Sequence, residues 1–184
     1  MPQTHGDHAP VLLSAMLRPE DICLNLKSAR KMDAIKEIVD RIAASGRISD
    51  KVGLFQAIVE REELQSTALN CGVAMPHARI DAALPHAKTD AVSGIILGLG
   101  ISQQGIDFEA SDRTPAHLVF LIAAPRNANS EYLNLLQTVC KLLSIEGFRE
   151  QVLVAESPLD VITTIRSAEA SLAAGPDGTV APAH

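Results

Sequence analysis

The sequence has few cysteines, and they are not paired. Cys23, Cys71 and Cys140 are its three thiols, and they lie far apart with no Cys-x-x-Cys spacing. An odd, scattered set argues against a disulfide framework and against a zinc site, because both need cysteines in pairs or clusters. The pattern is compatible with a reducing compartment. We therefore expect a cytoplasmic protein that binds no metal and needs no cofactor.

The sequence also lacks a basic cluster and a long apolar run. Its formal net charge is −6, and no group of lysines and arginines forms the basic patch typical of nucleic-acid-binding proteins. The longest apolar run, near 95–101, is interrupted by glycines and is much shorter than a bilayer span. The first ten residues, MPQTHGDHAP, have no basic region followed by an apolar stretch, which argues against a signal peptide. We expect neither nucleic-acid partners nor direct membrane insertion.

What the chain does contain is the pattern of one α/β domain. AVSGIILGLGI and HLVFLIAAP are near-continuous apolar runs of strand length, typical of strands that are covered on both faces. Helical patterns precede and follow them: one begins at Ser49 or Asp50, and one after Pro125 predicts a long helix that carries Leu133, Leu136, Val139, Cys140 and Leu143. We predict a single three-layer α/β/α domain over 11–170, with a mixed central sheet flanked by helices. Residues 1–10 and 171–184 are predicted to be a disordered N-terminus and a disordered tail.

The segment 69–80, LNCGVAMPHARI, places a histidine directly behind a proline that stops a short apolar strand. Pro76 fixes its own φ and biases Met75 toward an extended conformation, so the strand has a defined end. His77 would then project where binding residues of α/β folds gather, and a neutral imidazole is a good nucleophile near pH 7. A polar loop, ARIDAALPHAKTD, is predicted to follow. The pattern by itself leaves two interpretations open, a structural histidine and a reactive one.

The stretch 66–78, STALNCGVAMPHA, resembles a known phosphorylation-site signature. It is similar to that of the fructose/mannitol-type enzyme IIA domains of the bacterial phosphoenolpyruvate-dependent phosphotransferase system, which include the nitrogen-regulatory enzyme IIA. The resemblance extends over roughly 12–168, through PEDICLNLKSARKMDAIKEIV and through HLVFLIAAP with the long helix after it. Asn70 stands where the family usually has Gly or Ala. The matching residues are Glu62, Leu69, Val73, Ala74, Met75, Pro76, His77 and Ala78.

The resemblance implies a phosphotransferase that acts as a phosphocarrier. His77 would accept a phosphoryl group from the carrier protein HPr, or from its nitrogen-branch counterpart, and pass it to a IIB domain or use it as a signal. The resemblance also implies that Arg61, sixteen positions before His77 and of the family's VER/DRE type, contacts the phosphate. A guanidinium can hold two phosphate oxygens. Thr67 and Ser66 are candidate hydroxyl donors to the phosphoryl group, with ordinary turn and cap roles as the alternative.

One departure from the family concerns Tyr132. Many members have a second histidine near the phosphorylated one, at the start of the helix after the last core strand, and here that place falls on Tyr132 or Glu131. A tyrosine hydroxyl can bind a phosphate but does not share a proton at neutral pH. We expect phosphate acceptance to survive, with a changed rate or choice of partner.

Two other functions remain possible at the level of the sequence. The first is a nitrogen-regulatory module whose phosphorylation state controls partner proteins without sugar transport, and a chain with room for one domain favours it. The second is the related cytoplasmic fold of anion transporters, which lacks a phosphorylated histidine. The full motif around His77 argues against the second.

Overall fold

A computed structural model describes residues 11–80 and 94–174 and arranges them as helices packed around one sheet. A single 3₁₀ turn, Pro19–Asp21, precedes the first strand. The helices of the described residues are α1 (Leu13–Met16), α2 (Lys31–Ala44), α3 (Lys51–Leu64), α4 (Asn129–Leu143), α5 (Phe148–Leu153) and α6 (Pro158–Ala174). The strands are β1 (Ile22–Cys23), β2 (Ala68–Leu69), β3 (Val73–Ala74), β4 (His77–Ile80), β5 (Ile96–Ile106) and β6 (Ala116–Pro125).

The sheet is mixed, and its centre is the antiparallel pair β5–β6. β1 lies parallel to β5, β3 and β4 lie parallel to β6, and β2 closes antiparallel onto β3. Successive residues of β5 and β6 point to opposite faces, so Leu97, Leu99 and Phe120 enter a core with α1, α4, α5 and α6. Ile96, Val119 and Leu121 enter a second core with α2 and α3. The predicted three-layer α/β/α architecture is therefore confirmed.

β3 and β4 form one strand that Pro76 interrupts. Val73 pairs with Leu118 and His77 with Ile122, so both segments keep the same register on β6. Proline has no N–H for the ladder, but its carbonyl still accepts a bond from Ile122 N at 3.0 Å. His77 thus begins a second short strand, and the predicted polar loop after it is wrong over 78–80. The rest of that loop, 81–90, lies outside the described residues.

Two local features position α3, which carries Arg61, and its neighbour α2. The Asp50 carboxylate caps the N-terminus of α3 by accepting a bond from Gly53 N at 2.8 Å, as expected for one of the two predicted starts. From that start, fourteen helical residues place Arg61 in the last turn. On the same sheet face, Gly98 and Gly100 let α2 approach closely. A Cβ on Gly98 would lie 2.6 Å from Ile42 Cδ1.

Some predicted boundaries and buried positions differ from the structure. Helix α6 continues through Ala174, so 171–174 are helical and not part of a tail. Residues 1–10 and 175–184 lie outside the described residues. Of the residues predicted on helix α4, Leu133 is 55% exposed, and Cys140 is exposed too. The helix instead buries Leu135, Val139 and Leu142.

Candidate functional site

His77 is held by a hydrogen bond that sets its tautomer. Its ring is half-buried, and Nδ1 lies 2.9 Å from the carbonyl oxygen of Met75. A carbonyl oxygen only accepts, so Nδ1 carries the proton and donates it. In the neutral ring the lone pair then resides on Nε2. The residue is consequently oriented with one nitrogen committed to the backbone and the other available as a nucleophile.

His77 lines a cleft of about 700 Å³ between α3, β4 and the start of α4. The lining is rich in positive charge, since three arginines contribute to it and Glu60 is its one carboxylate among the described residues. Such a cleft attracts anions although the whole chain is acidic. The lining residues are Ala57, Glu60, Arg61, Leu64, His77, Ala78, Arg79, Arg126, Asn129, Tyr132 and Leu133.

The surroundings of His77 favour its neutral form. Burial lowers the pKa of His77 below its ordinary value, and the hydrogen bond to Met75 opposes that shift. The positive charges of Arg61 and Arg79 lower this pKa further, whereas the Glu62 carboxylate raises it. At neutral pH the ring is therefore uncharged, and its Nε2 lone pair is not blocked by a proton.

Arg61 lies where the sequence placed it, at the end of a helix and beside His77. Its guanidinium Nη1 donates to the carbonyl oxygen of Gln65, the C-cap residue of α3, at 3.0 Å. This bond satisfies a helix-end carbonyl and orients the half-buried side chain. The structure brings Arg61 and His77 into the same cleft.

Tyr132 also reaches this cleft, from the first turn of α4. Its ring centroid lies 5.8 Å from that of His77, with 49° between the ring planes. Burial raises the pKa of the Tyr132 hydroxyl, so the side chain is neutral at physiological pH. The Arg79 guanidinium carbon lies 4.8 Å from the Tyr132 ring centroid, which is cation–π distance.

Ser66 and Thr67, the predicted hydroxyl donors, do not line the cleft. The Ser66 hydroxyl donates to the carbonyl oxygen of Phe108, and its oxygen accepts from Ala68 N at 3.1 Å. The Thr67 hydroxyl donates to the Glu62 carboxylate, which also accepts the backbone N–H of Thr67. Both hydroxyls thus have the turn and cap partners of the alternative interpretation. The Glu62–Thr67 bonds tie the end of α3 to the start of β2.

Two arginines of the cleft were missed at the level of the sequence. Arg79 follows His77 by two positions in β4, so the two side chains share one side of the strand. The two-residue period of a strand would indicate Arg79, but the sequence predicts a loop over 78–80. Arg126 follows the last residue of β6 and reaches the cleft only through the fold, so no sequence spacing indicates it.

The described residues limit other kinds of site. Across 11–80 and 94–174, no group of three or more His, Cys, Asp or Glu side chains is arranged to hold a metal ion. Among the helices of these same ranges, none combines the length and the apolar character that a membrane crossing requires.

Sequence comparison identifies relatives of two kinds. A family model described as "Phosphoenolpyruvate-dependent sugar phosphotransferase system, EIIA 2" matches residues 15–168. The chain is 36% identical to the fructose-specific EIIABC component of Bacillus subtilis, over 83% of this chain but only 23% of that protein. It is 34% identical to the fructose-specific EIIA component of Haloferax volcanii, over 79% and 88% of the two chains. A nitrogen regulatory protein of Bradyrhizobium diazoefficiens is 30% identical, over 71% and 79%.

Solved structures share the fold. The nitrogen regulatory protein IIA-Ntr of Neisseria meningitidis superposes with a TM-score of 0.71 at 24% identity, covering 83% of this chain and 97% of that one. A chain of the complex between enzyme IIA-mannitol and phosphorylated enzyme IIB-mannitol of Escherichia coli gives 0.67 at 21% identity, covering 82% and 99%. At these identities the structures support the fold alone. The family match over most of the chain goes further: this protein belongs to the EIIA type 2 family of the phosphoenolpyruvate-dependent sugar phosphotransferase system, which includes sugar-specific and nitrogen-regulatory members.

Proposed function

We propose that this protein is a phosphocarrier that accepts a phosphoryl group on Nε2 of His77. The observation that carries the proposal is the fixed tautomer of His77 in a cationic cleft. Nδ1–H is bonded to the Met75 carbonyl, and three arginines line the cleft that the ring enters. A structural histidine needs no such surroundings, and an arriving phosphoryl group needs both a lone pair and positive charge.

The transfer balances without any proton movement on this chain. The Nε2 lone pair of His77 forms the new N–P bond while the N–P bond of the donor breaks, and the donor nitrogen keeps that electron pair. Nδ1–H stays bonded to Met75 throughout. Because phosphoryl transfer passes through a loose transition state, the protein contributes mostly positioning and charge stabilisation. The phosphohistidine then divides the relay into two steps.

Arg61 is proposed as a contact of the phosphoryl oxygens. Its bond to the Gln65 carbonyl uses one N–H of Nη1 and leaves other donors of the guanidinium fork for an anion. The neutral Tyr132 hydroxyl is a candidate donor to the same group. Ser66 and Thr67 are not included in the proposed site, because Phe108 and Glu62 accept their hydroxyl protons.

Two exposed leucines at the rim of the cleft suit a docking partner. Leu64 is 84% exposed and Leu133 is 55% exposed, and they come from α3 and α4 beside His77. Large apolar side chains that are exposed beside a binding cleft are typical of surfaces that a partner protein covers. We propose HPr, or its nitrogen-branch counterpart, as the donor that docks here. A IIB domain or a regulated protein is the proposed receiver.

A second candidate function is control of partner proteins without sugar transport. It is favoured by the nitrogen regulatory relative, of which this chain covers 79%, and by the presence of Tyr132 in place of a second histidine. In that case phosphorylation of His77 would act as the signal, and the transfer of the phosphoryl group to His77 would be slow.

The experiment that tests the proposal follows phosphoryl flow in a purified relay. The protein is mixed with phosphoenolpyruvate, enzyme I and HPr, and in parallel with the corresponding nitrogen-branch pair. We expect labelling of His77 in at least one of the two relays. Onward transfer to a fructose-type IIB domain would support the sugar carrier, and loading without onward transfer would support the regulatory module. Absence of labelling in both relays would refute the phosphocarrier.

A further inference from the structure

Arg79 is held in the cleft by more contacts than a solvated arginine would have. Its Nη2 donates to the carbonyl oxygen of Arg126 at 2.7 Å and to the side-chain oxygen of Asn129. Its guanidinium also lies over the ring of Tyr132, at 4.8 Å from the centroid. A guanidinium has five N–H groups, and the Nη2 bonds use two of them. The donors on Nε and Nη1 are therefore the ones that can serve an anion.

The strand directs Arg79 to the side of His77. Within β4, Ala78 and Ile80 pack into the core shared with α2 and α3, so the residues that alternate with them face the other way. Those residues are His77 and Arg79, and both border the ring of Tyr132. Residues two apart in one strand always share a face, and the pairing of β4 with β6 fixes which face His77 and Arg79 occupy.

A purely structural role for Arg79 would explain its hydrogen bonds near the start of α4. It would not explain why a positively charged side chain stands at this position. Arg61, Arg79 and Arg126 line the same cleft, and Glu60 is its one carboxylate among the described residues. The positive charges of Arg61 and Arg79 both act on the His77 ring, and like charges disfavour one another. A dianionic phosphoryl group on His77 would attract both of them. A neutral side chain would link β4 to α4 without that repulsion.

We propose that Arg79 is a second phosphoryl-binding residue beside His77, and that the ring of Tyr132 holds its guanidinium in place. The proposal rests on the phosphocarrier function and specifies its charge-stabilising group. It also gives Tyr132 a defined part: the face of the ring positions a cation, and the hydroxyl is not required. Arg79 binds the reacting group, whereas Tyr132 is a positioning residue that acts through Arg79.

The test uses potassium phosphoramidate, a small donor that phosphorylates imidazoles without a partner protein. The labelling rate of His77 is measured by mass spectrometry at pH 8, where the ring is neutral in every variant. We expect Arg79→Met to slow labelling by roughly ten- to a hundredfold, the size of one lost charge-assisted contact. Arg166→Met is the matched control, because Arg166 is exposed on α6 and does not line the cleft. Equal rates for these two variants would overturn the proposal.

Variants of Tyr132 test whether the face of its ring holds the Arg79 guanidinium in place. Tyr132→Phe keeps the ring face and is expected to label within about twofold of the wild type, whereas Tyr132→Leu is expected to be roughly three- to thirtyfold slower. In the double variant Arg79→Met/Tyr132→Leu, the second change should add nothing, because it acts through the first. Loss of rate in the phenylalanine variant, or full additivity in the double variant, would contradict the positioning role.

Two further measurements separate this proposal from folding and from the relay. Removal of the Arg79 charge should raise the pKa of His77 in an NMR titration, a change that Arg166→Met should not produce. If Arg79→Met fails to fold, Arg79→Lys keeps a charge without the fork and should label at an intermediate rate. A protein that reacts with phosphoramidate in an Arg79-dependent way but accepts nothing from either relay would refute the phosphocarrier and retain the anion site.

Discussion

Replacing Arg61 by alanine should change the chemistry of the cleft far more than the stability of the fold. The side chain makes one hydrogen bond among those described, from Nη1 to the Gln65 carbonyl at the end of α3. A hydrogen bond of this kind contributes about 0.5–1.5 kcal/mol net, and alanine recovers a little of it through its higher helix propensity. The free energy of unfolding should therefore fall by about 1 kcal/mol at most.

The kinetic effect of Arg61→Ala should be larger. Loss of one charge-assisted contact to the phosphoryl group costs about 1.5–3 kcal/mol, which corresponds to roughly a ten- to hundredfold slower transfer. The substitution also removes a positive charge that lowers the pKa of His77, so that pKa should rise. Measuring at pH 8 keeps the ring neutral and isolates the contact with the phosphoryl group.

The assay is quench-flow transfer from phospho-HPr, with urea unfolding of the same samples. Arg166→Ala is the control, since it also removes one arginine from a helix, but Arg166 is an exposed residue of α6. An unchanged transfer rate in Arg61→Ala would leave Arg61 as a helix-capping residue. A loss of several kcal/mol in unfolding would show that Arg61 is structural.

Three further expectations follow from the site and the core. Because the pKa of His77 is lowered in the folded state, the labelling rate should begin to fall only below pH 6.5. The free energy of unfolding should also decrease as pH falls from about 6.5 through the lowered pKa, a dependence that His77→Gln should remove. Leu64→Ser should raise the KM for phospho-HPr and leave phosphoramidate labelling unchanged; slowing of both would place Leu64 in the chemistry. Gly98→Ala should destabilise the protein by about 1–3 kcal/mol in urea unfolding, because the added Cβ meets Ile42, and a change under about 0.5 kcal/mol would contradict that packing.

The sequence predicted the layers because hydrophobic burial dominates them. β5 and β6 carry apolar residues at successive positions, so both faces of each strand are apolar. Such runs are typical of strands that are covered on both faces. β4 was not predicted because its strand conformation depends on tertiary pairing with β6 and not on local propensity. It contains a histidine and an arginine in four residues, and its pairing with β6 across Pro76 supplies what local propensity does not.

The residues of the cleft that lie near the motif are predicted from the sequence, and those that only the fold brings there are not. The resemblance indicates His77 and Arg61, and the start of the helix places Tyr132 near them; all three line the cleft. The sequence places Leu133 on this helix but does not indicate that it is exposed at the cleft. Arg126 comes from a turn after β6, and only three-dimensional structure brings it to the cleft.

The most direct test of the account is the site of phosphorylation. Wild type, His77→Ala and His117→Ala are labelled with phosphoenolpyruvate, enzyme I and the carrier protein that charges the wild type, and the added mass is mapped under alkaline conditions. His117 is a matched control, because its Nδ1 also lies on a backbone carbonyl, that of Ser102 at 2.8 Å, but the residue does not line the cleft.

We predict one acid-labile, base-stable phosphoryl group on His77 in the wild type and in His117→Ala, and none in His77→Ala. Full labelling of His77→Ala would contradict the account.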